Sequence, residues 1–274
     1  MHTNSLDTLL GTAQDAAEQA GERLRAMWNQ PSQIRSKGFR DVVTDADFAA
    51  QQIIVDVIRG RHPDHGFLTE EEDTALTTEG PITWIIDPLD GTTNFSRRIP
   101  TFCVSVAAVR RGRDATGEDW EVLAGAIYDP MRGEMFSAAA GHGCRLNGRP
   151  VHVSGATGMS EAVIALDWSH SRMLRQRALN ALNCFAHQVT TIRAAGSAAL
   201  TLAWVAAGRL DGYLNFSLKQ WDVAAGSLLI QEAGGRFGSI GGQAWDWLAD
   251  SGGCVASNGR LHAELLRCIA DNIS

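Results

Sequence analysis

Two aspartates, Asp87 and Asp90, stand three residues apart at the end of the apolar run Trp84-Ile85-Ile86, and Gly91-Thr92-Thr93 follows directly. Carboxylates at a strand end are exposed while their backbone stays rigid. Oxygen ligands of this kind suit Mg²⁺, which keeps its remaining positions for water or phosphate oxygens. Gly91 permits close backbone approach, and the amides and hydroxyls after it can face an anion at a helix start. Taken alone, Asp87-Pro88-Leu89-Asp90-Gly91 reads equally well as a turn. Further acidic groups shift that balance. Glu70, Glu71 and Glu72 follow the apolar Phe67-Leu68, Asp41, Thr44, Asp45 and Asp47 form a second group, and Asp222 opens a predicted helix within Trp221-Asp222-Val223-Ala224-Ala225-Gly226.

The elements that must hold these groups can be read from periodicity. Leu6, Leu9, Leu10, Ala13, Ala17, Ala20, Leu24 and Met27 recur at helical spacing, so an amphipathic helix opens the chain. A charged loop is expected over 32–41, then a helix from about Asp45 with Ala49, Ile53, Ile54, Val57 and Ile58 inside, stopped by Gly60. Strands are predicted over 82–87, 102–109 and 122–128, the last two separated by a turn-rich link over 110–119. Asn147-Gly148 marks a tight hairpin within 144–153. From Ser154 onward strands (163–166, 190–193, 212–214, 254–256) alternate with helices (172–185, 197–207, 222–233 and a terminal one). Strands clustered early and α/β alternation later predict two packed subdomains, 1–154 and 155–274. Gly234-Gly235 reads as a helix C-cap.

Bulk composition narrows the function classes. The 274 residues are 45% hydrophobic and 20% charged, an ordinary globular balance, and the formal net charge is −7. A net-acidic chain is a poor non-specific binder of nucleic acid or anionic membrane, although a small phosphorylated molecule stays open to it through metal ions. No apolar stretch reaches spanning length and no secretory pattern opens the sequence. The five scattered cysteines, without a CxxC pair, are expected to be reduced thiols in a cytoplasmic protein. The Asn-Phe-Ser sequons at Asn94 and Asn215 are then chance matches. His62 and His65 read as loop residues, and Trp245 and Trp247 as packing residues. There is no GxGxxG after a strand, no GxxxxGK[ST] and no GxSxG.

DVVTDAD, TEEE, WIIDPLDGTTNF, IRAAGSAA and WDVAAG occur in an order and spacing that resemble the inositol monophosphatase family, from about Asp41 to Gly235. The resemblance implies an α/β fold, a layered αβαβα sandwich of the inositol monophosphatase and fructose-1,6-bisphosphatase type. It implies a homodimer, lithium sensitivity and hydrolysis of a small phosphorylated metabolite, with two or three Mg²⁺ ions per site. By the same resemblance Glu70, Asp87 and the Leu89 carbonyl hold one ion, and Asp87, Asp90 and Asp222 a second. Thr92 orients the attacking water and Asp47 accepts its hydrogen bond, while Asp90, Gly91, Thr92, Gly196, Ser197, Ala198 and Asn215 meet substrate. Lys37 resembles a loop lysine that touches metal-bound water.

Each assignment has a plainer competitor: a first-turn helix charge for Asp47, an N-cap for Asp222, an exposed loop residue for Lys37, and a structural role for Asp41. Asn215 stands where inositol enzymes often carry a glutamate, which leaves the leaving alcohol open. Inositol-1-monophosphatase is the first expectation. Histidinol-phosphate phosphatase or another small sugar-phosphate phosphatase is the alternative, and a non-catalytic regulatory protein the reading from another class.

Overall fold

The computed structural model describes residues 5–30, 34–38, 41–71, 76–114, 117–247, 249 and 251–270. Side chains of 34–38, 41–42, 113–114 and 117–119 lie outside that description, and with them the expectations placed on Lys37 and Asp41.

Helix α1 (Leu6–Met27) starts where the Ser5 hydroxyl accepts the Thr8 N–H, and it buries Leu9, Ala13, Ala16, Ala17, Ala20 and Leu24. Strands β1 (Ile34–Gly38) and β2 (Asp41–Thr44) pair antiparallel where the sequence predicts a loop, and lead into α2 (Asp45–Arg61). Thr44 and Asp47 form a reciprocal capping box that fixes the helix start. The helix runs one residue past Gly60, because a single glycine in a last turn weakens a helix without breaking it.

A seven-stranded sheet follows, in the order β3-β4-β5-β6-β7-β8-β9. Its strands are β3 (Gly66–Thr69), β4 (Thr83–Asp90), β5 (Cys103–Asp114), β6 (Gly117–Asp129), β7 (Glu134–Ala139), β8 (Cys144–Leu146) and β9 (Arg149–Val151), with the short helix α3 (Thr92–Ser96) after β4. The link expected over 110–119 is instead strand. The β5–β6 ladder continues through Arg110↔Glu121 to Asp114↔Gly117, so this stretch is the far end of one long hairpin. The hairpin at Asn147-Gly148 is present, both residues left-handed (φ 48° and 78°) as a two-residue turn requires.

The second sheet runs β11-β10-β12-β14-β13. It comprises β10 (Val163–Leu166), β11 (Thr191–Arg193), β12 (Gly212–Leu218), β13 (Arg236–Ser239) and β14 (Gly252–Ser257), interleaved with α4 (Arg172–Phe185), α5 (Ala198–Ala206), α6 (Gln220–Glu232) and α7 (His262–Ala270). The layers follow from which faces are apolar. Helices α1 and α2 cover one face of the large sheet in one core. Helices α5 and α6, apolar nearly all round, lie between the two sheets in a second. Helices α4 and α7 cover the outer face of the small sheet in a third. The architecture is the five-layer αβαβα sandwich.

One expectation about cysteine is corrected. Cys184 and Cys268 form a disulfide between α4 and α7, 84 residues apart in sequence, while Cys103, Cys144 and Cys254 are free and buried. Linear spacing could not show this pair, because only the packing of α4 against α7 brings the two Cα atoms to 5.4 Å. Closing so long a loop is worth about 4.5 kcal/mol. The Cys184→Ala, Cys268→Ala double variant should therefore melt roughly 9–18 °C lower. Reductant should lower the parent's midpoint to match and leave the variant's alone.

Both sequon asparagines are buried and hydrogen-bonded, in keeping with chance matches. His62 and His65 stack with centroids 4.4 Å apart, and the Trp84 indole donates to His65 Nδ1, so this pair belongs to the packing. Trp247 stacks on Trp120 at 6.3 Å, and Gly234 is left-handed just past α6. Among the described residues, no helix is long and apolar enough to cross a membrane.

Candidate active site

In a regular strand, residues three apart point to opposite faces. Asp87 and Asp90 avoid this because β4 carries an extra residue against β5. Asp87 pairs with Ser105 and Asp90 with Cys103, so three steps on one strand match two on the other. Pro88, which has no N–H to offer a ladder, occupies the bulge, and Asp87 Oδ1 accepts the Leu89 N–H at 3.0 Å. Gly91 then turns the chain with φ 98°. A Cβ there would meet Thr101 O at 3.0 Å and Phe102 Cβ at 3.2 Å.

The bulge presents both carboxylates to the N-terminus of α6, and ligand oxygens of Asp87, Asp90 and Asp222 lie within 4.8 Å of one another. Asp222 is not the N-cap. It sits at the third helical position and reaches back to accept the Lys219 N–H at 2.7 Å, leaving its other oxygen for the cluster. Glu70, half-buried just past β3, hydrogen-bonds to Asp87. Its backbone is pinned by its N–H to Ile86 O, and the next residue's carbonyl accepts from both Gln51 and Thr69.

Asp47 is fully buried. One oxygen takes the Thr44 N–H and hydroxyl at 2.8 and 2.6 Å, and the other takes the Thr92 hydroxyl at 3.0 Å. Thr92 Oγ1 also lies 3.1 Å from Leu89 O. Its one proton is thus committed inward and its lone pairs are left facing out.

Asp90 has a second attachment. Its carboxylate accepts the Ser197 hydroxyl at 2.5 Å and the N–H groups of Ala198, Ala199 and Leu200 at 3.1, 2.7 and 3.4 Å. These are the unpaired donors of the first turn of α5, so Asp90 caps that helix from across the seam. Gly196 N–H goes to Asp167 at 2.9 Å, and the Asn215 amide is used by Tyr213 and Ser217. Gly196, Ser197, Ala198 and Asn215 all line the adjoining cavity, yet each has its polar group engaged within the protein. Asn94 ties the two halves together, its amide donating to Thr101 O and Ala195 O at 2.6 and 2.8 Å.

The cavity, of about 430 Å³, opens beside Asp90 and Asp222 and is also lined by Asp167, Trp168, His170, Arg175 and Tyr213. Sequence reading misses these. Asp167 carried a signal, since it follows the apolar β10 as Asp87 follows the apolar part of β4. Trp168, His170 and Arg175 carried none.

Burial raises the pKa of Asp87 and Asp222 well above the ordinary carboxylate value, and neighbouring carboxylates add to it: Glu70, Asp90 and Asp222 on Asp87, Asp90 and Glu70 on Asp222. Burial also raises Asp90, against the pull of its hydrogen bonds from α5. Asp87, Asp90 and Asp222, with Glu70 against Asp87, are mutually repelling carboxylates in a largely buried place, and their oxygens could hold a hard divalent cation.

The sequence pattern of the inositol monophosphatase family matches residues 5–274. The chain belongs to this family. It is 36% identical over 269 residues to a protein named Nus factor SuhB from Escherichia coli (strain K12), covering 97% of each chain. It is 38% identical over 270 residues to inositol-1-monophosphatase of Mesorhizobium japonicum, again with 97% of each covered. Among solved structures, the extragenic suppressor protein suhB of Bartonella henselae superposes with a TM-score of 0.88 at 34% identity, covering 97% of this chain and 100% of that one.

Proposed function

We propose that the protein is a Mg²⁺-dependent hydrolase of small phosphate monoesters, a polyol or sugar phosphate being the substrate. The observation that carries this reading is the convergence of Asp87, Asp90 and Asp222, the last two lining a cavity, with Glu70 against Asp87. Glu70, Asp87 and the Leu89 carbonyl would hold one ion, and Asp87, Asp90 and Asp222 a second. Divalent cations bound there supply Lewis-acid polarisation of the phosphoryl oxygens and acidify water at the site. The rest falls to side chains. With its proton held by Asp47, Thr92 Oγ1 accepts a hydrogen bond from a water and orients it for in-line attack on phosphorus. As the new P–O bond forms and the ester P–O bond breaks, the Glu70 carboxylate takes that water's other proton, and the departing alkoxide takes its proton from solvent water. The leaving alcohol lies along Asp167 and Asn215. Inositol 1-phosphate belongs on the substrate panel but is not singled out, because Asn215 has replaced a charge with an amide that the protein already uses. Lithium inhibition and a homodimer are part of the same reading.

Phosphate release from a panel of sugar, inositol and amino-alcohol phosphates, with and without Mg²⁺, tests it. In that assay Thr92→Val should lose about 10²–10³-fold in kcat, while Thr92→Ser keeps most of it. Equal turnover by the valine variant would remove Thr92 from the mechanism. The likeness to a Nus factor supports a second, regulatory reading. Well-folded protein that hydrolyses nothing on the panel would favour it.

A further inference from the structure

The cavity contains a cation that the proposed chemistry does not use. Arg175 stands in the first turn of α4 and lines the same cavity as Asp90 and Asp222. Its Nε donates to Ser169 O at 2.6 Å, and its guanidinium carbon lies 6.0 Å from the centroid of the Trp168 ring. Ser169 is itself buried, so the side chain is anchored at its root. Among the described residues, neither terminal guanidinium nitrogen has a hydrogen-bond or carboxylate partner. Other arginines of this chain are paired: Arg209 meets both oxygens of Glu134, and Arg132 meets Asp129.

An anchored guanidinium with both ends free is a fork for a planar or tetrahedral anion. The cavity's own carboxylates do not fill that role. Asp90 and Asp222 belong to the metal cluster, and the Asp167 oxygens are taken by Gly196 and Tyr213. Trp168, 40% exposed beside Arg175, adds a flat apolar wall. A neutral polyol would leave the fork without a bidentate partner, and a cationic amino alcohol would be repelled by it. Resting on the phosphatase reading above, we infer that the preferred leaving alcohol carries a second anionic group, a phosphate or carboxylate, which Arg175 binds. Arg175 is then a specificity residue: it touches the far end of the substrate and takes no part in the reaction at phosphorus.

Matched pairs test this. With Mg²⁺, kcat/KM for fructose 1,6-bisphosphate should exceed that for fructose 1-phosphate by about tenfold or more, an ordinary yield for one bidentate charged contact. 6-Phosphogluconate against sorbitol 6-phosphate asks the same of a carboxylate, and the pair with the larger ratio identifies the anion. Arg175→Gln should abolish the preference through KM, leaving the partners that carry only the one phosphate within twofold, and Arg175→Lys should restore part of it. Equal rates within both pairs, or an Arg175→Gln loss shared by all substrates, would overturn the inference. Equilibrium binding by calorimetry supplies a second readout. Protein that turns over nothing, yet binds fructose 1,6-bisphosphate over fructose 1-phosphate in an Arg175-dependent way, would sink the hydrolase reading and keep the anion site.

Discussion

Asp90→Ala should lose at least about 10³-fold in kcat/KM, and it should also destabilise the protein by about 2 kcal/mol. The two losses have different causes. Activity goes because one carboxylate of a converging set is gone, and charge stabilisation at a transferring phosphoryl group is worth several kcal/mol. Stability goes because the Ala198, Ala199 and Leu200 N–H groups and the Ser197 hydroxyl lose their acceptor in a buried place. Asp90→Asn separates the effects. An amide oxygen still accepts from part of that turn, so the asparagine variant should melt close to the parent and remain inactive. Mg²⁺-dependent turnover within tenfold of the parent in either variant would refute Asp90 as a ligand.

The metal-free protein should lose stability as the pH rises from about 4 toward neutrality, and a divalent cation should return it. Asp87 and Asp222 have folded-state pKa values raised well above the ordinary value of 3.8, first by burial and then by their neighbours. Below the unfolded-state pKa both states are protonated and these groups contribute nothing. Above it the unfolded chain releases its protons first, so the folded state holds more protons and stability falls with pH until the folded pKa is passed. A cation that binds only the folded, deprotonated cluster replaces those protons. At a thousand times its dissociation constant it adds about 4.1 kcal/mol. Thermal melts at pH 5 and pH 8, with EDTA and with Mg²⁺, should show a larger Mg²⁺-induced rise at pH 8. A rise that does not grow with pH would mean the cluster is not what binds the ion.

The parts of the site that were legible in the sequence are those encoded within a few residues. Asp87 and Asp90 were visible because an apolar run stops at them, and Asp222 because a helix start follows a tryptophan. What escaped is what only packing decides. The three-residue spacing of Asp87 and Asp90 looks wrong for one face of a strand, and the bulge that corrects it cannot be seen without β5 alongside. Asp90 as the cap of α5 and Cys184 beside Cys268 join residues 109 and 84 apart in sequence, and Arg175 faces the cavity only because α4 packs beside it. In the second half, strand 163–166 and helix 172–185 match to the residue because an apolar run and a helical period mark them, whereas β12 runs four residues past the predicted 212–214 and β13 (Arg236–Ser239) was not foreseen. The loop expected over 32–41 and the link over 110–119 failed because short polar stretches read as turns when the strand that pairs with them is not in view.

The hydrogen bond from Ala199 to Asp90 closes 109 residues of chain. At roughly 5–20 residues per second of synthesis, Asp90 must wait about 5–20 s for that partner to be made. Through that interval the large sheet can pair its strands, but its acidic edge stands without the helix that neutralises it. The carboxylate cluster is therefore completed long after its own sheet, once α5 and then Asp222 on α6 have been made, and nascent chains interrupted before α5 should carry a formed sheet with an open, strongly anionic end.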